Sequence, residues 1–526
     1  MIITFYGAAR EVTGSMHLVA TKRDHILLDC GMFQGRRKEA QAKNTVLPID
    51  PSLITNVVLS HAHIDHSGRI PLLTKNGFNG NIICTRSTMD ACELLLKDSA
   101  HIQESDASYL NYKTAKRFLE KWERRRGSSE VGKKEIQEIK ARLKVKGHKL
   151  NNKAINELLL EYNLNIIEPL YTMDDAEQSL QFFQGVPYRY TVTVGHKMRC
   201  TFYDAGHILG SSMVVLDIEE NGRKYTILYT GDVGRFNKPI IEDPTLTFDK
   251  NDRNMDLLII ESTYGNRLHQ PVDDLKRALK EVIVETAERG GSVILPSFAY
   301  GRTQELIYFL HELYMNDEVP KMPVYVDSPL ATQITRVFGE HPEAYDKETH
   351  DVFLKKGINP FTFPLLRFVE SVEESMALNR DKTPHIVLAG SGMCEGGRIL
   401  HHLRHKIHDE RNTILIVGYM AQNTLGRRIL ELGEKYEASG RKGKPPILKF
   451  YNKEYPLRAR VVKIDGFSAH ADKRELYKFL KDSNLKVKNV AVVHGEEDQA
   501  LAFASFLEEK GYTVFVPKRG QSLRLS

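Results

Sequence analysis

The strongest constraint on the fold is a change of style that reverses along the chain. Residues 1–100 read as short strands, IITFY, HILLDCG, NVVLSH and NIICT, followed by a helical stretch, STMDACELLLKDSAHIQES. The strand pattern resumes in HKMRCTFYDAGHILGSSMVVLDI and KYTILYTGD. From about residue 270, helical VDDLKRALKEVIVETAERGG leads into SVILPSF, GRTQELIYFLHELY into MPVYVDSP, and HIVLAGSGM into GGRILHHLRHKI. Strands alternating with helices predict a parallel sheet wound by helices. The last sixty residues return to strands, RARVVKIDGFSAH and VKNVAVVHGEED. A chain that leaves one style and comes back to it predicts an α/β protein with one domain inserted into another. At 526 residues it is long enough for two cores.

Composition excludes some classes of protein. Hydrophobic residues make up 41% and charged ones 27%, as in an ordinary globular chain. No apolar run approaches the ~18 residues that span a bilayer, and the first residues lack a signal-peptide pattern, so no membrane role is expected. The five cysteines are scattered with no CxxC pair, which suits buried thiols in a reducing, cytoplasmic setting. The net charge of +6 is unevenly spread: Tyr112–Glu161 holds 15 Lys and Arg against seven Asp and Glu, a surplus larger than that of the whole chain. This segment reads either as a solvated helical hairpin or as a basic arm that attracts a polyanion such as RNA.

The chemistry concentrates in SHAHIDHSGRI, where His61, His63, Asp65 and His66 follow an apolar run. Imidazole nitrogens and carboxylate oxygens at this spacing are zinc donors. His61 and His63 can face one ion, Asp65 and His66 a second ion nearby. Three further stretches end a strand at a tight or glycine-rich turn: YDAGHILGS with His207, LYTGDVG with Asp232 and VVHGEED with His494. Each is weak alone, and their joint occurrence carries the reading. Asp29 in LLDCG is a candidate carboxylate for orienting a ligand histidine.

Taken together, Asp29, HAHIDH, His207 and Asp232 resemble, in order and context, the motifs of the metallo-β-lactamase fold. LLIIESTYG with Glu261, GFSAHAD with His470 and VVHGE with His494 resemble motifs A, B and C of its β-CASP branch, and LPSFAYGRTQE, VDSPLA and GSGMCEGGRI fit that branch too. The resemblance covers nearly all of the chain outside roughly 105–168. It implies a four-layer αβ/βα sandwich with a β-CASP domain inserted in it: residues 1–265, then 266–460, then 461–526. It further implies two zinc ions, one on His61, His63 and His207, the other on Asp65, His66 and His494, with Asp232 bridging. The implied activity is hydrolysis of RNA phosphodiester bonds by a metal-activated hydroxide, with His470 as acid and Glu261 orienting it. Asp65, Asp232 and Asp29 complete the implied catalytic set. His rather than Val at motif C points to RNA over DNA. Endonuclease cutting is expected, with 5′ exonuclease activity left open.

Other substrate contacts are expectations of a looser kind. The Gly-rich turn AGSGMCEGGRIL offers Ser391, Gly392 and Arg398 to a phosphate, Ser468 lies two residues before His470, and Arg302 opens a helix. His401, His402, His405 and His408 share a predicted helix with no matching acid cluster and read as surface or packing residues. Single-stranded RNA is the expected partner, positioned by the cleft, by a homodimer or by the basic segment. The alternatives are a small-molecule hydrolase of this fold, a di-iron oxidoreductase (usually Glu where His63 stands), and a scaffold that has lost its metal ligands.

Overall fold

The computed structural model describes residues 1–126, 130–144 and 149–525. Two seven-stranded sheets stack on each other. The first runs Gln521–Arg524, Ile2–Gly7, Met16–Ala20, His25–Leu28, Asn56–Val58, Asn81–Thr85, Phe183–Val186. The second runs Thr513–Phe515, Asn489–Val493, Leu257–Glu261, Arg223–Tyr229, Ser212–Glu220, Met198–Asp204, Thr191–Gly195. Strands from the C-terminal end thus complete both sheets.

Period-two alternation builds the layers. In Leu257–Glu261, Leu257 and Ile259 point into the core between the sheets, where they join Phe5, Ile26 and Val58. Leu258 and Ile260 point the other way, with Leu476 and Phe479 of helix Lys473–Asp482 and Phe503 and Leu507 of helix Glu497–Glu509. This strand is apolar on both faces because both faces are covered. Each such buried side chain contributes about 1.5–3 kcal/mol. On the outer face of the first sheet, Leu27, Val57 and Ile82 pack with Leu73, Ala91 and Leu96 of the flanking helices. Helix, sheet, sheet, helix is the four-layer αβ/βα sandwich.

Between Glu261 and helix Lys473–Asp482 the chain builds a six-stranded sheet of its own. Its order is Leu366–Phe368, Val324–Asp327, Ile386–Ala389, Val293–Pro296, Thr413–Ile416, Arg460–Lys463, and every pairing is parallel. Helices cover its two faces in separate apolar clusters, one of them continuous with the sandwich's outer layer.

The basic segment departs from a simple hairpin. One helix of 41 residues, Arg86–Arg126, runs straight through the expected boundary near residue 105. Its sequence holds no Gly or Pro to stop it before Gly127. Helices Glu130–Arg142 and Asn152–Glu161 pack against its end through Ala115, Leu119, Ile136, Leu143, Ile155 and Leu159, a small core separate from the others. At the base Asn111 exchanges two hydrogen bonds with the backbone of Ile167, at 2.8 and 2.9 Å. Residues 127–129 and 145–148 of this segment lie outside the described residues. All five cysteines are buried and unpaired. Among the described residues no helix is long and apolar enough to cross a membrane.

Candidate metal centre

The site lies where loops of both sheets meet. His61 and His63 follow strand Asn56–Val58, and Asp65 and His66 sit on the one-turn helix Ile64–Ser67. His207 follows Met198–Asp204, Asp232 follows Arg223–Tyr229, and His494 follows Asn489–Val493. Glycine makes the loops fit together. A Cβ on Gly31 would lie 1.6 Å from the Asp65 carbonyl oxygen, and one on Gly234 would lie 1.7 Å from that of Gly206. Asp29 and His494 both hold left-handed backbone, with φ of 58° and 49°. Strain of this kind costs about 1–3 kcal/mol and persists where the surroundings over-determine it. Here the His494 amide donates to Ala8 at 2.7 Å and the Asp29 amide to Val58 at 3.1 Å.

The side chains converge on two adjacent poles. At the first, His63 Nδ1 is 3.1 Å from His61 Nε2 and 3.3 Å from His207 Nε2, and Asp232 Oδ2 is 3.4 Å from each of those Nε2 atoms. At the second, His66 Nε2 is 2.9 Å from His494 Nε2, Asp65 Oδ2 is 3.6 Å from His494, and Asp232 Oδ1 is 3.3 Å from His66. The two oxygens of Asp232 therefore face different poles. Asp29 braces the second: its Oδ2 accepts from His66 Nδ1 at 2.6 Å, the Tyr229 hydroxyl at 2.6 Å and the Ser60 hydroxyl at 2.9 Å. Burial acts to lower the His66 pKa, but Asp232 and Asp29 raise it well above its ordinary value, with Nδ1 turned to Asp29 and Nε2 to His494 and Asp232.

Donor chemistry tests whether a metal fits. Burial, with the neighbouring histidines, holds the His61 and His207 imidazoles below their ordinary range, and burial with His61 beside it pushes His63 down to about 3. At the first pole these three neutral rings cannot all donate to one another, so nitrogen lone pairs crowd against the Asp232 carboxylate. Asp232 Oδ1 and His207 Nδ1 are buried without a hydrogen-bond partner. Asp232 stays ionised because the surrounding histidines outweigh the cost of its burial. The first pole is thus short of protons, the second gathers two carboxylates against two imidazoles, and both are donor sets that divalent cations satisfy.

Beside the first pole, Glu261 and His470 form a pair. His470 Nδ1 donates to Glu261 Oε1 at 3.0 Å and lies 3.9 Å from Asp232 Oδ2. Glu261 is fully buried and accepts from the amides of Val233 at 2.8 Å and Thr263 at 3.2 Å. Burial acts to lower the His470 pKa, but Glu261 and Asp232 raise it to about 9. The turn carrying His470 is fixed from its C-terminal side. Asp472 caps helix Lys473–Asp482 in a capping box with Glu475, and the Ala471 amide donates to Val233.

Comparison with known proteins places the chain in a family. Residues 9–133 match the family model of the metallo-beta-lactamase superfamily, 303–429 that of the Beta-Casp domain, and 454–517 that of the Zn-dependent metallo-hydrolase RNA specificity domain. A ribonuclease from Thermus thermophilus is 33% identical over 99% of this chain and all of its own length. The chain belongs to the β-CASP metallo-β-lactamases. A transcription termination factor from Methanocaldococcus jannaschii is 30% identical across 95% of this chain and 68% of its own. An RNase J-like protein from the same organism is 28% identical, covering 99% of each. A crystal structure of a protein of unknown function from Enterococcus faecalis shares the fold at a TM-score of 0.51 and 13% identity, with coverage of 100% and 99%.

In this β-CASP chain the looser substrate candidates fall into two groups. Ser468 is half-buried and its hydroxyl accepts from the His470 amide at 3.2 Å. The Ser391 hydroxyl accepts from the amides of Glu395 and Gly396, and Gly392 packs under the ring of Phe298. The arginines are engaged inside the protein. Arg302 is 8% exposed, paired with Glu305 and stacked 5.4 Å from the Phe467 ring, so it braces the domain junction. Arg398 donates to Asp327 at 2.7 Å and to the carbonyls of Val369 and Glu370 at 2.9 Å. His402 is a core residue whose Nε2 donates to Asp327 at 2.6 Å, whereas His401, His405 and His408 are exposed. Sequence reasoning missed Tyr229 and Ser60 behind Asp29, Thr263 on His494 Nδ1 at 3.1 Å, and Tyr300, whose ring lies 5.8 Å from that of His63. A strand tyrosine or a turn threonine carries no local signal of such a role.

Proposed function

We propose that this chain is a zinc-dependent ribonuclease that cuts internal phosphodiester bonds of single-stranded RNA, with two ions held at the two poles. The observation that carries the reading is Asp232, whose oxygens face separate groups of ligands, with the Glu261–His470 pair beside one of them. The relatives whose names include ribonuclease, and the matched RNA specificity domain, support RNA as the substrate. On this reading His61, His63 and His207 hold one zinc, Asp65, His66 and His494 the other, and Asp232 joins both. Bound there, two zinc ions supply a water of lowered pKa and positive charge for the phosphate oxygens.

The chain's own groups do the rest. Asp29, held by Tyr229 and Ser60, fixes the tautomer of His66 so that its Nε2 faces the pole. Glu261 keeps His470 protonated and turned inward, leaving Nε2–H to meet the departing 3′ oxygen and protonate it. Glu261 is itself held by the Val233 amide, next to Asp232, which ties the acid's partner to the backbone that carries the ligand. Ser468, Ser391 and Gly392 are the substrate contacts that accord with this reading, and a cytoplasmic setting suits its unpaired cysteines. The accompanying domain division is 1–265, 266–460 and 461–526, with the second crossing better drawn after Lys463, where the last parallel strand ends.

The test is metal-replete protein on an internally labelled single-stranded RNA beside a DNA of the same sequence, with Asp65→Ala as control. Internal RNA cuts that vanish in the variant are expected. Cutting of DNA alone, or of neither, overturns the proposal. Mononucleotides from the 5′ end would replace internal cutting by exonuclease action.

A further inference from the structure

The six-stranded sheet presents the ends of three adjacent parallel strands beside the metal centre, and an exposed phenylalanine lies across them. Phe298 follows the middle strand, Val293–Pro296, and is 40% exposed. Its neighbours in the sheet, Ile386–Ala389 and Thr413–Ile416, lead into Gly392 and Gly418. A Cβ on Gly392 would lie 2.7 Å from the Phe298 ring, and one on Gly418 would lie 3.6 Å from it. The ring therefore needs a bare backbone at 392 as its seat, yet it leaves much of its surface in water. Core packing does not explain that combination, since a buried ring would be the apolar solution.

Its surroundings point to a ligand. Two residues on, Tyr300 packs against His63, so the loop bearing Phe298 touches the metal centre. Tyr419, next to Gly418, is 44% exposed, and its charged neighbours are Glu496, Arg267 and Arg427, with Tyr264 also near. Tyr264 is half-buried, its ring 6.3 Å from that of His470, with the Arg267 guanidinium 5.9 Å from its ring centre. Aromatic residues thus stand on both sides of the domain junction, Tyr264 beside the proton donor and Phe298 and Tyr419 at the open ends of the parallel strands, where ligands of open α/β sheets bind. Exposed rings beside an arginine suit unpaired nucleobases joined by phosphates, because every base offers a face to stack on.

We propose that Phe298 and Tyr419 form a stacking platform that holds bases of single-stranded RNA flanking the bond to be cut. The platform explains why Gly392 clears a seat for an exposed ring, and it selects single strands because paired bases have no free face. It rests on the ribonuclease reading above and adds the residues that position the substrate.

The experiment compares kcat/KM of the zinc-loaded wild type with Phe298→Ala, Tyr419→Ala and Phe298→Trp. Two oligoribonucleotide series are used, one ordinary and one with abasic sites walked along the positions flanking the cut. On ordinary RNA each alanine variant is expected to lose about tenfold or more, chiefly through KM, as loss of a stacked base predicts. Phe298→Trp is expected to keep most of the wild-type value. Removing the contacted base is expected to shrink the gap between wild type and alanine variant toward unity at one or two positions only. A penalty that is the same on abasic and ordinary RNA at every position, or no penalty at all, overturns the platform. Wild type that cuts neither RNA overturns the ribonuclease reading instead, so the two failures are distinguishable.

Discussion

Two buried polar clusters in this molecule look alike by composition and differ in what they lack. Around Asp327, in the six-stranded sheet, one oxygen accepts from Arg398 at 2.7 Å and the other from Ser375 at 2.7 Å and His402 at 2.6 Å. Both carboxylate oxygens are satisfied and the guanidinium cancels the charge, so the one atom left without a partner is the ring nitrogen His402 Nδ1. Burial acts to raise the Asp327 pKa, but these hydrogen bonds hold it below the usual carboxylate range. Around Asp232 the neighbours are imidazole nitrogens at 3.3–3.5 Å, and Oδ1 has no hydrogen-bond partner. One cluster is closed by its own protons. The other is left open for cations. A buried histidine beside an aspartate therefore says little until protons are assigned on both sides.

The comparison can be sharpened from the open cluster first. His470→Ala is expected to lower RNA turnover about 10²–10⁴-fold, the usual worth of a positioned acid, while zinc content stays at the wild-type level. Loss of zinc in that variant would make His470 a ligand instead. In the closed cluster Asp327→Ala leaves the buried His402 and Ser375 and the half-buried Arg398 without their acceptor and is expected to cost about 1–3 kcal/mol of folding stability, again with zinc unchanged. Denaturant unfolding checks it, and an unaltered midpoint would show that the cluster is not closed as described.

Legibility in the sequence followed distance along the chain. The proposed ligands sit in short stretches with a local signature, a strand followed by a glycine-rich or tight turn, as in LYTGDVG and VVHGE. The reversal of style along the chain reads directly as a sheet inserted between the strands of a sandwich, because periodicity is local as well. What supports the ligands was not legible. Tyr229 reaches Asp29 across 200 positions, Thr263 reaches His494 across 231, and Asp327 meets His402 across 75. Arg302 misled for the same reason. Its partner Glu305 is one turn away, but Phe467, which covers the guanidinium, comes from a distant loop. The 41-residue helix failed only at its boundary, where composition changed before any helix breaker appeared.

A third histidine tests the comparison most gently. His341, after helix Pro329–Glu340, contacts Asp90 of the long helix at 2.7 Å through Nε2 and Glu343 at 2.7 Å through Nδ1. Both nitrogens face carboxylates, so this junction between the domains is closed only when the ring is charged. Burial opposes that charge, but Glu343 and Asp90 outweigh it and raise the pKa above the ordinary 6.5. The stabilisation is therefore fully present below pH ~6.5 and is lost as pH rises through the raised value. His341→Gln is expected to lower Tm slightly at pH 6 and less at alkaline pH. A deficit that grows with pH would reverse the assignment.

The central claim is that Asp232 joins two metal sites. The most direct measurement is zinc per chain, by elemental analysis of wild type and Asp232→Ala after removal of loosely held metal, with circular dichroism to confirm folding. The account predicts two zinc ions in the wild type and loss of both, or nearly both, from the folded variant. One ion or none in a wild type that still cuts RNA, or two ions retained by Asp232→Ala, would contradict it.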